Sequence, residues 1–312
     1  MKNYYRVRLG EQSKYFDICR QGSFIGTDFS IEQDLTGKLP ERWQDFNKEF
    51  VQVYLELHPH KTKIAAGLSC SNLWTVSKGI REGDIVLCPN SEGMYLVGEV
   101  NGTYSYEFGE VLPHRRSVSW YPKMIARQDM SRELQRSVVI PLTARSVTQY
   151  ADEIERLLGT QGIPDLVARD DDVEDPLVFA LEKHLEDFLI HNWDITDLGK
   201  VYDIYEDDGD LVGQQFQTDT GPIDILAIKK DHKELLVVEL KKGRTSDVVV
   251  GQIQRYMGYV LDELAEEGQT VRGVIIALED DIRLRRALRV AQQIDFYRYE
   301  IDFKIIKASE QF

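Results

Sequence analysis

Gly221-Pro222-Ile223-Asp224-Ile225-Leu226-Ala227-Ile228, followed after a short charged turn by Leu235-Leu236-Val237-Val238-Glu239-Leu240-Lys241, is the stretch on which the fold turns. Two apolar runs of strand length, joined by Lys229-Lys230-Asp231-His232-Lys233-Glu234, predict a β-hairpin. Residues i and i+2 of a strand share a face, so Glu239 and Lys241 point the same way. The hairpin can bring Asp224 beside Glu239. Two carboxylates and an ammonium then converge at the end of a buried sheet, where unpaired charges are costly. Carboxylates suit Mg²⁺, or Mn²⁺, which takes oxygen ligands and keeps several waters. The lysine can orient or help deprotonate an attacking water. Such a kit suits metal-assisted hydrolysis of a phosphodiester.

These residues resemble the PD-(D/E)XK nuclease signature, with Pro222 and Asp224 as its first part and Glu239-Leu240-Lys241 as its second. The continuation Val237-Val238-Glu239-Leu240-Lys241-Lys242-Gly243-Arg244, then Val250-Gly251-Gln252-Ile253-Gln254-Arg255-Tyr256, is similar to the NucS-like and related restriction-type branches. The resemblance covers roughly residues 175–306. It implies that Gln252 and Tyr256 reach the site from a helix behind the catalytic strand. It also implies a carboxylate from the first helix of the domain. Glu182 and Glu186, four apart, share a helix face. Glu182 is preferred by its place in the motif, with Glu186 as the alternative. Asp224, Glu239 and one of these two glutamates are the expected metal ligands. Lys242, Arg244 and Arg255 are candidate phosphate contacts, which position DNA without reading its sequence.

The 312 residues suggest two domains. The net charge of −15 is confined to one belt: residues 151–210 hold 4 basic and 19 acidic side chains. Residues 1–150 hold 19 and 17, and residues 211–312 hold 15 and 17. Charge therefore neither excludes DNA nor argues for it; the belt reads as a solvated linker and surface. Three scattered cysteines, Cys19, Cys70 and Cys88, form no CxxC pair and no disulfide framework. No apolar run is long enough to span a membrane, and the N-terminus lacks the apolar core of a signal peptide. A reduced, cytoplasmic protein is the expectation. No Cys/His cluster has zinc spacing, and neither Gly-x-Ser-x-Gly nor a phosphate-cradling glycine motif occurs, so no nucleotide cofactor is expected.

Three segments are expected: a sensor domain at 1–145, a helix and acidic linker at 146–175, and a nuclease domain at 176–312. Residues 41–57 have helical spacing, and residues 61–125 read as β-rich with strong turns at Asn90-Ser91-Glu92-Gly93 and Asn101-Gly102. Gly83-Asp84-Ile85-Val86-Leu87, Tyr95-Leu96-Val97-Gly98-Glu99-Val100 and His114–Trp120 resemble the PUA/EVE-like β-barrel at the front of Mrr-type restriction proteins. That implies a pocket for an extruded, modified base, which needs aromatic walls and hydrogen-bond donors. Trp43, Trp74, Tyr104, Tyr106 and Trp120 are candidates for it, and His114-Arg115-Arg116 for a phosphate-facing basic turn. Beyond residue 176 the pattern predicts helices at 177–193, 248–267 and 281–293, with strands at 211–218, 223–228, 235–240, 271–278 and 299–306.

The fold class expected is α/β (α+β): a PUA/EVE-like barrel, then a restriction-endonuclease-like mixed sheet flanked by helices. The function implied is Mg²⁺-dependent DNA cleavage by a homodimer in modification-dependent restriction or phage defence. A NucS-like repair nuclease acting on mismatched, flapped or branched DNA is the first alternative. A non-catalytic nucleic-acid-binding protein is the second.

Overall fold

The computed structural model describes residues 2–139, 142–159 and 185–300. The chain divides into two compact units, Met1–Ala168 with Asp207–Val212, and Arg169–Glu206 with Gly213–Phe312. Both combine helices with mixed sheets, an α+β architecture. Among the described residues no helix is long and apolar enough to cross a membrane.

The first unit is built on a seven-stranded sheet with the order β2-β5-β4-β3-β1-β7 and β6 paired to β4. Its strands are β1 (Tyr4–Val7), β2 (Phe24–Thr27), β3 (Ile85–Pro89), β4 (Met94–Tyr106), β5 (His114–Trp120), β6 (Ile125–Ala126) and β7 (Ala144–Ser146). The sheet is a half-barrel: among the described residues no pairing joins its edges β2 and β7. Strand β3 shows why both faces are covered. Val86 and Cys88 enter a core with Phe16 and Ile25, while Ile85 and Leu87 enter another with Leu134 and Ile154. Helices α1 (Phe16–Gly22), α4 (Arg132–Val139) and α5 (Ala151–Leu158) supply Phe16, Leu134 and Ile154, and β2 supplies Ile25. A third core joins α2 (Trp43–Leu57) and α3 (Lys63–Trp74) through Phe46, Phe50, Cys70 and Leu73. The cysteines are free and buried. Within this unit, Lys61 pairs with Asp207 at 2.7 Å and Asp208 at 2.5 Å, neutralising part of the acidic belt.

Several expectations for this unit are corrected. Helix α3 occupies the start of the segment read as β-rich. It is buried nearly all round, on Ile64, Ala65, Ala66, Ser69, Cys70 and Leu73, which erases the one-sided period that marks a helix. His114-Arg115-Arg116 is not a basic turn but the start of β5, and its side chains serve the interior. His114 is fully buried, its Nε2 donating to the Ile31 carbonyl at 2.8 Å and its Nδ1 accepting from the Tyr104 hydroxyl at 2.9 Å. Arg115 bonds the carbonyls of Val111 and Leu112 and lies 4.0 Å over the Phe24 ring. Arg116 is 5% exposed and donates to the carbonyls of Gly102, Ser77 and Ile80.

The five aromatics do not form one pocket either. Trp74 and Tyr104 pack on the α2–α3 core, Trp74 donating to Pro40 O. Trp120 packs on a different core and donates to Cys19 O at 3.3 Å. Tyr106 leans on the His114 ring, and Trp43 stands half-buried at the start of α2.

In the second unit the predicted hairpin is present. The unit's strands are β8 (Tyr202–Ile204), β11 (Gln214–Thr218), β12 (Gly221–Lys229), β13 (Glu234–Arg244), β14 (Thr270–Glu279) and β15 (Ile294–Arg298); the short hairpin of β9 (Glu206–Asp207) and β10 (Asp210–Leu211) falls almost wholly in the segment Asp207–Val212 that belongs to the first unit. The sheet order is β11-β12-β13-β14-β15, with β8 also paired to β12. β11, β12 and β13 run antiparallel, while β13, β14 and β15 run parallel, so the sheet is mixed. Leu235–Val238 are buried throughout, as a strand covered on both faces requires.

Residues 185–191 are helical (α6), followed later by α7 (Val248–Tyr259) and α8 (Ile282–Leu288). Helix α7 lies close on β14: a Cβ on Gly273 would stand 2.7 Å from the Met257 sulfur. The helix predicted over 248–267 continues past α7 only as a π-helical turn, Val260–Leu264. The last strand lies at 294–298, before the predicted 299–306, whose later part is outside the described residues.

Arg116→Ala is expected to destabilise the first unit by about 3 kcal/mol, because it strands two buried carbonyls, of Ser77 and Ile80, and the half-buried one of Gly102. Urea unfolding monitored on the first-unit tryptophans checks this. A loss under about 0.5 kcal/mol would show that the guanidinium does not hold the interior.

Candidate active site

The site forms where the β12–β13 ladder stops. Its last paired rung is Ile225 with Val238. One residue further stand Asp224 on β12 and Glu239 on β13. Instead of continuing the ladder, the Asp224 carboxylate inserts, and Oδ2 accepts the Leu240 backbone N–H at 2.7 Å. Glu239 is 2% exposed, and its Oε1 accepts from Lys241 Nζ at 3.0 Å. This is the same-face i, i+2 pair expected from strand geometry. The lysine side chain remains 22% exposed, so the pair has one buried and one accessible end.

Glu186, on α6, brings a further carboxylate. It is 6% exposed and held by two amides, Gln214 Nε2 to Oε1 at 2.6 Å and Gln215 Nε2 to Oε2 at 2.5 Å. The same Gln215 nitrogen reaches Asp224 Oδ1 at 3.1 Å, so one amide links the two acids. Burial, and then the negative charge of Asp224, push the Glu186 carboxyl up to about 7; the two glutamine bonds pull it back only in part.

Helix α7 adds Gln252 and Tyr256. Gln252 Nε2 lies 3.5 Å from the Tyr256 hydroxyl. That hydroxyl sits over the start of β12: a Cβ on Gly221 would come within 3.0 Å of it, and Gly221 has a φ of +130°, which a side chain would strain. Burial raises the Tyr256 pKa, and the charges of Glu239 and Asp224 add to this, so the hydroxyl stays protonated beside the acids.

Of the residues expected at the site, the fold thus gathers Asp224, Glu239, Lys241, Glu186, Gln252 and Tyr256. The preferred Glu182 lies outside the described residues. Lys242 is half-buried on β13 and Arg255 is exposed on α7, while the Arg244 side chain is outside the described set. Gln214 and Gln215 were not anticipated. In a regular strand adjacent side chains face opposite ways, and nothing in Gly213-Gln214-Gln215-Phe216 announces an exception. Among the described residues, no three His, Cys, Asp or Glu side chains stand as a ready-made metal cage. What the site offers instead is an oxygen-only donor set, with Asp224 close enough to raise the proton affinity of Glu186. That repulsion is what a hard divalent cation relieves, so the donor chemistry fits Mg²⁺ or Mn²⁺.

Comparison with known families follows this division. Residues 181–301 match the family described as the endonuclease NucS C-terminal domain, and residues 5–147 match a domain of unknown function, DUF8426. The second unit therefore contains the stretch that is similar to the NucS C-terminal domain. No curated protein matches the chain. Among solved structures, a repair endonuclease from Pyrococcus abyssi is 15% identical with a TM-score of 0.31, covering 68% of this chain and 66% of its own. EndoMS in a double-stranded DNA complex is 14% identical with a TM-score of 0.32, covering 70% and 66%. EndoMS in apo form is 14% identical with a TM-score of 0.30, covering 69% and 76%. The matched region thus spans just under two thirds of the first two of these chains.

A carboxyl with its pKa raised from 4.5 to about 7 stabilises the fold while protonated, and loses that contribution as pH rises through 7. The metal-free protein should lose about 2–3 kcal/mol of stability between pH 5 and pH 8 from this group. Glu186→Gln should remove that part of the slope. Urea unfolding at stepped pH tests it, and an unchanged slope in the variant would refute the burial argument.

Proposed function

We propose that this chain is a divalent-metal-dependent DNA endonuclease of the NucS kind, acting on mismatched, flapped or branched DNA. The observation that carries the reading is that the NucS C-terminal domain match, residues 181–301, contains the whole cluster of Glu186, Asp224, Glu239, Lys241, Gln252 and Tyr256. The match supports a nuclease domain, and the clustered acids support hydrolysis of a phosphodiester.

Asp224, Glu239 and Glu186 would hold Mg²⁺ or Mn²⁺, which when bound supplies Lewis acidity toward a phosphate oxygen and acidifies a water. The chain's own groups do the rest. Asp224 is held at one oxygen by the Leu240 N–H and at the other by the Gln215 amide, so its carboxylate is oriented before substrate arrives. Lys241 keeps an ammonium at the accessible end of its pair with Glu239, where it offsets phosphate charge or orients the water. Tyr256 and Gln252 supply an O–H and an N–H donor beside the same acids. Arg255 and Lys242 are the described cations of this unit that we assign to the DNA backbone, with Arg244. Cutting both strands needs two such sites, hence a homodimer.

Restriction of modified DNA is less well supported. Trp74 and Tyr104 pack on one core and Trp120 on another, and Arg116 and His114 are buried.

A cleavage assay of the full chain with Mn²⁺ or Mg²⁺ tests the reading, on matched, mismatched, flapped, branched, 5-methylcytosine and hydroxymethylcytosine duplexes. Cutting of mismatched or branched DNA is expected, falling by about 10³-fold in Asp224→Ala and Glu239→Ala, the several kcal/mol that metal-assisted hydrolysis provides. Cutting confined to a modified duplex would establish restriction instead. Undiminished cutting by both variants would move the active site elsewhere.

A further inference from the structure

Two consecutive strand residues grip one carboxylate from the same side. Gln214 and Gln215 each donate to a different oxygen of Glu186. In extended backbone they would leave opposite faces of β11. Gln215 escapes that alternation because its φ is +50°, in the left-handed region. The β11–β12 ladder registers the break: Gln214 pairs with Ile225 and Phe216 with Ile223, while the rung between them, Gln215 with Asp224, is skipped.

A left-handed conformation is strained for a residue with a side chain. Such strain persists where the surroundings over-determine it, and it concentrates at functional sites. Here it delivers one amide nitrogen to two acids, at 2.5 Å from Glu186 and 3.1 Å from Asp224. Asp224 is also fixed by the Leu240 N–H. Gln215 is thus the link through which the helix-borne acid takes its place relative to the strand-borne one. Gln214, which touches Glu186 only at its other oxygen, steadies Glu186 but does not tie it to Asp224.

We propose that Gln215 is a positioning residue that sets the spacing of Glu186 against Asp224 for the divalent cation. The inference rests on the metal-site reading given above, and it assigns Gln215 no contact with DNA or with the reacting atoms. Groups that orient metal ligands in this way typically change metal affinity by about 10- to 100-fold when removed.

The test is calorimetric titration of Mn²⁺ into the full chain: wild type, Gln215→Gly, Gln215→Asn and Gln217→Gly. Glycine and asparagine both tolerate the left-handed backbone, so neither variant adds strain. Glycine deletes the amide and asparagine shortens its reach. Gln217 is exposed on the same strand, and its side chain bonds the Gln215 carbonyl rather than a carboxylate. The expected result is a 10- to 100-fold weaker Mn²⁺ affinity in both Gln215 variants and a change under twofold in Gln217→Gly. Wild-type affinity in Gln215→Gly, or an equal loss in Gln217→Gly, would overturn the proposal.

A companion measurement uses metal-free protein and the ¹³C carboxyl resonances of Glu186 and Asp224. Both should shift in Gln215→Gly, and unchanged resonances would overturn the positioning role. If wild type binds no Mn²⁺, the metal-site reading itself fails, and these resonances alone decide whether Gln215 spaces the two acids.

Discussion

The carboxylate of Asp224 ends a ladder. Two strands zip together by backbone hydrogen bonds up to Ile225 and Val238, and then a side chain takes the Leu240 N–H. That substitution keeps a buried donor satisfied, as the interior demands. It also anchors an acid at the mouth of an otherwise apolar sheet. Glu239 arrives opposite it by register and Lys241 follows by strand period. Glu186 is drawn in through the amides of β11. Removing the Asp224 side chain would therefore undo a backbone hydrogen bond and a charge arrangement together.

The two units use charge in contrasting ways. In the first, cations are consumed by structure: Arg115 and Arg116 satisfy backbone carbonyls, and burial lowers the pKa of His114. In the second, charges are set against one another at one strand end. Burial penalises the charged form of Glu186, and Asp224 adds to the penalty. An arrangement that stores repulsion between acids is poor for stability and well suited to receiving a cation.

The sequence was most legible where one physical rule acts alone. Alternation placed Glu239 and Lys241 on one face, and the Lys229–Glu234 turn brought Asp224 to Glu239. It was least legible where tertiary contacts override local pattern. Helix α3 hides its period because it is buried on nearly every side. Arg115 and Arg116 look like surface cations in sequence, yet an arginine can bury its guanidinium when carbonyls surround it. Gln215 escaped notice because its role depends on a left-handed φ that no neighbouring residue signals. Between Glu182 and Glu186 the helix period gives no choice, since both share a face; the contact with Gln214 and Gln215 draws Glu186 to the acids.

The central claim is that Glu186, Asp224 and Glu239 serve one divalent cation. Anomalous diffraction from crystals of the full chain grown with Mn²⁺ tests it most directly. The account predicts an anomalous peak bounded by oxygens of Asp224 and Glu239, with Glu186 joining them directly or through water. Manganese bound elsewhere, with Glu186 and Asp224 still bridged by Gln215 and no peak between them, would contradict it.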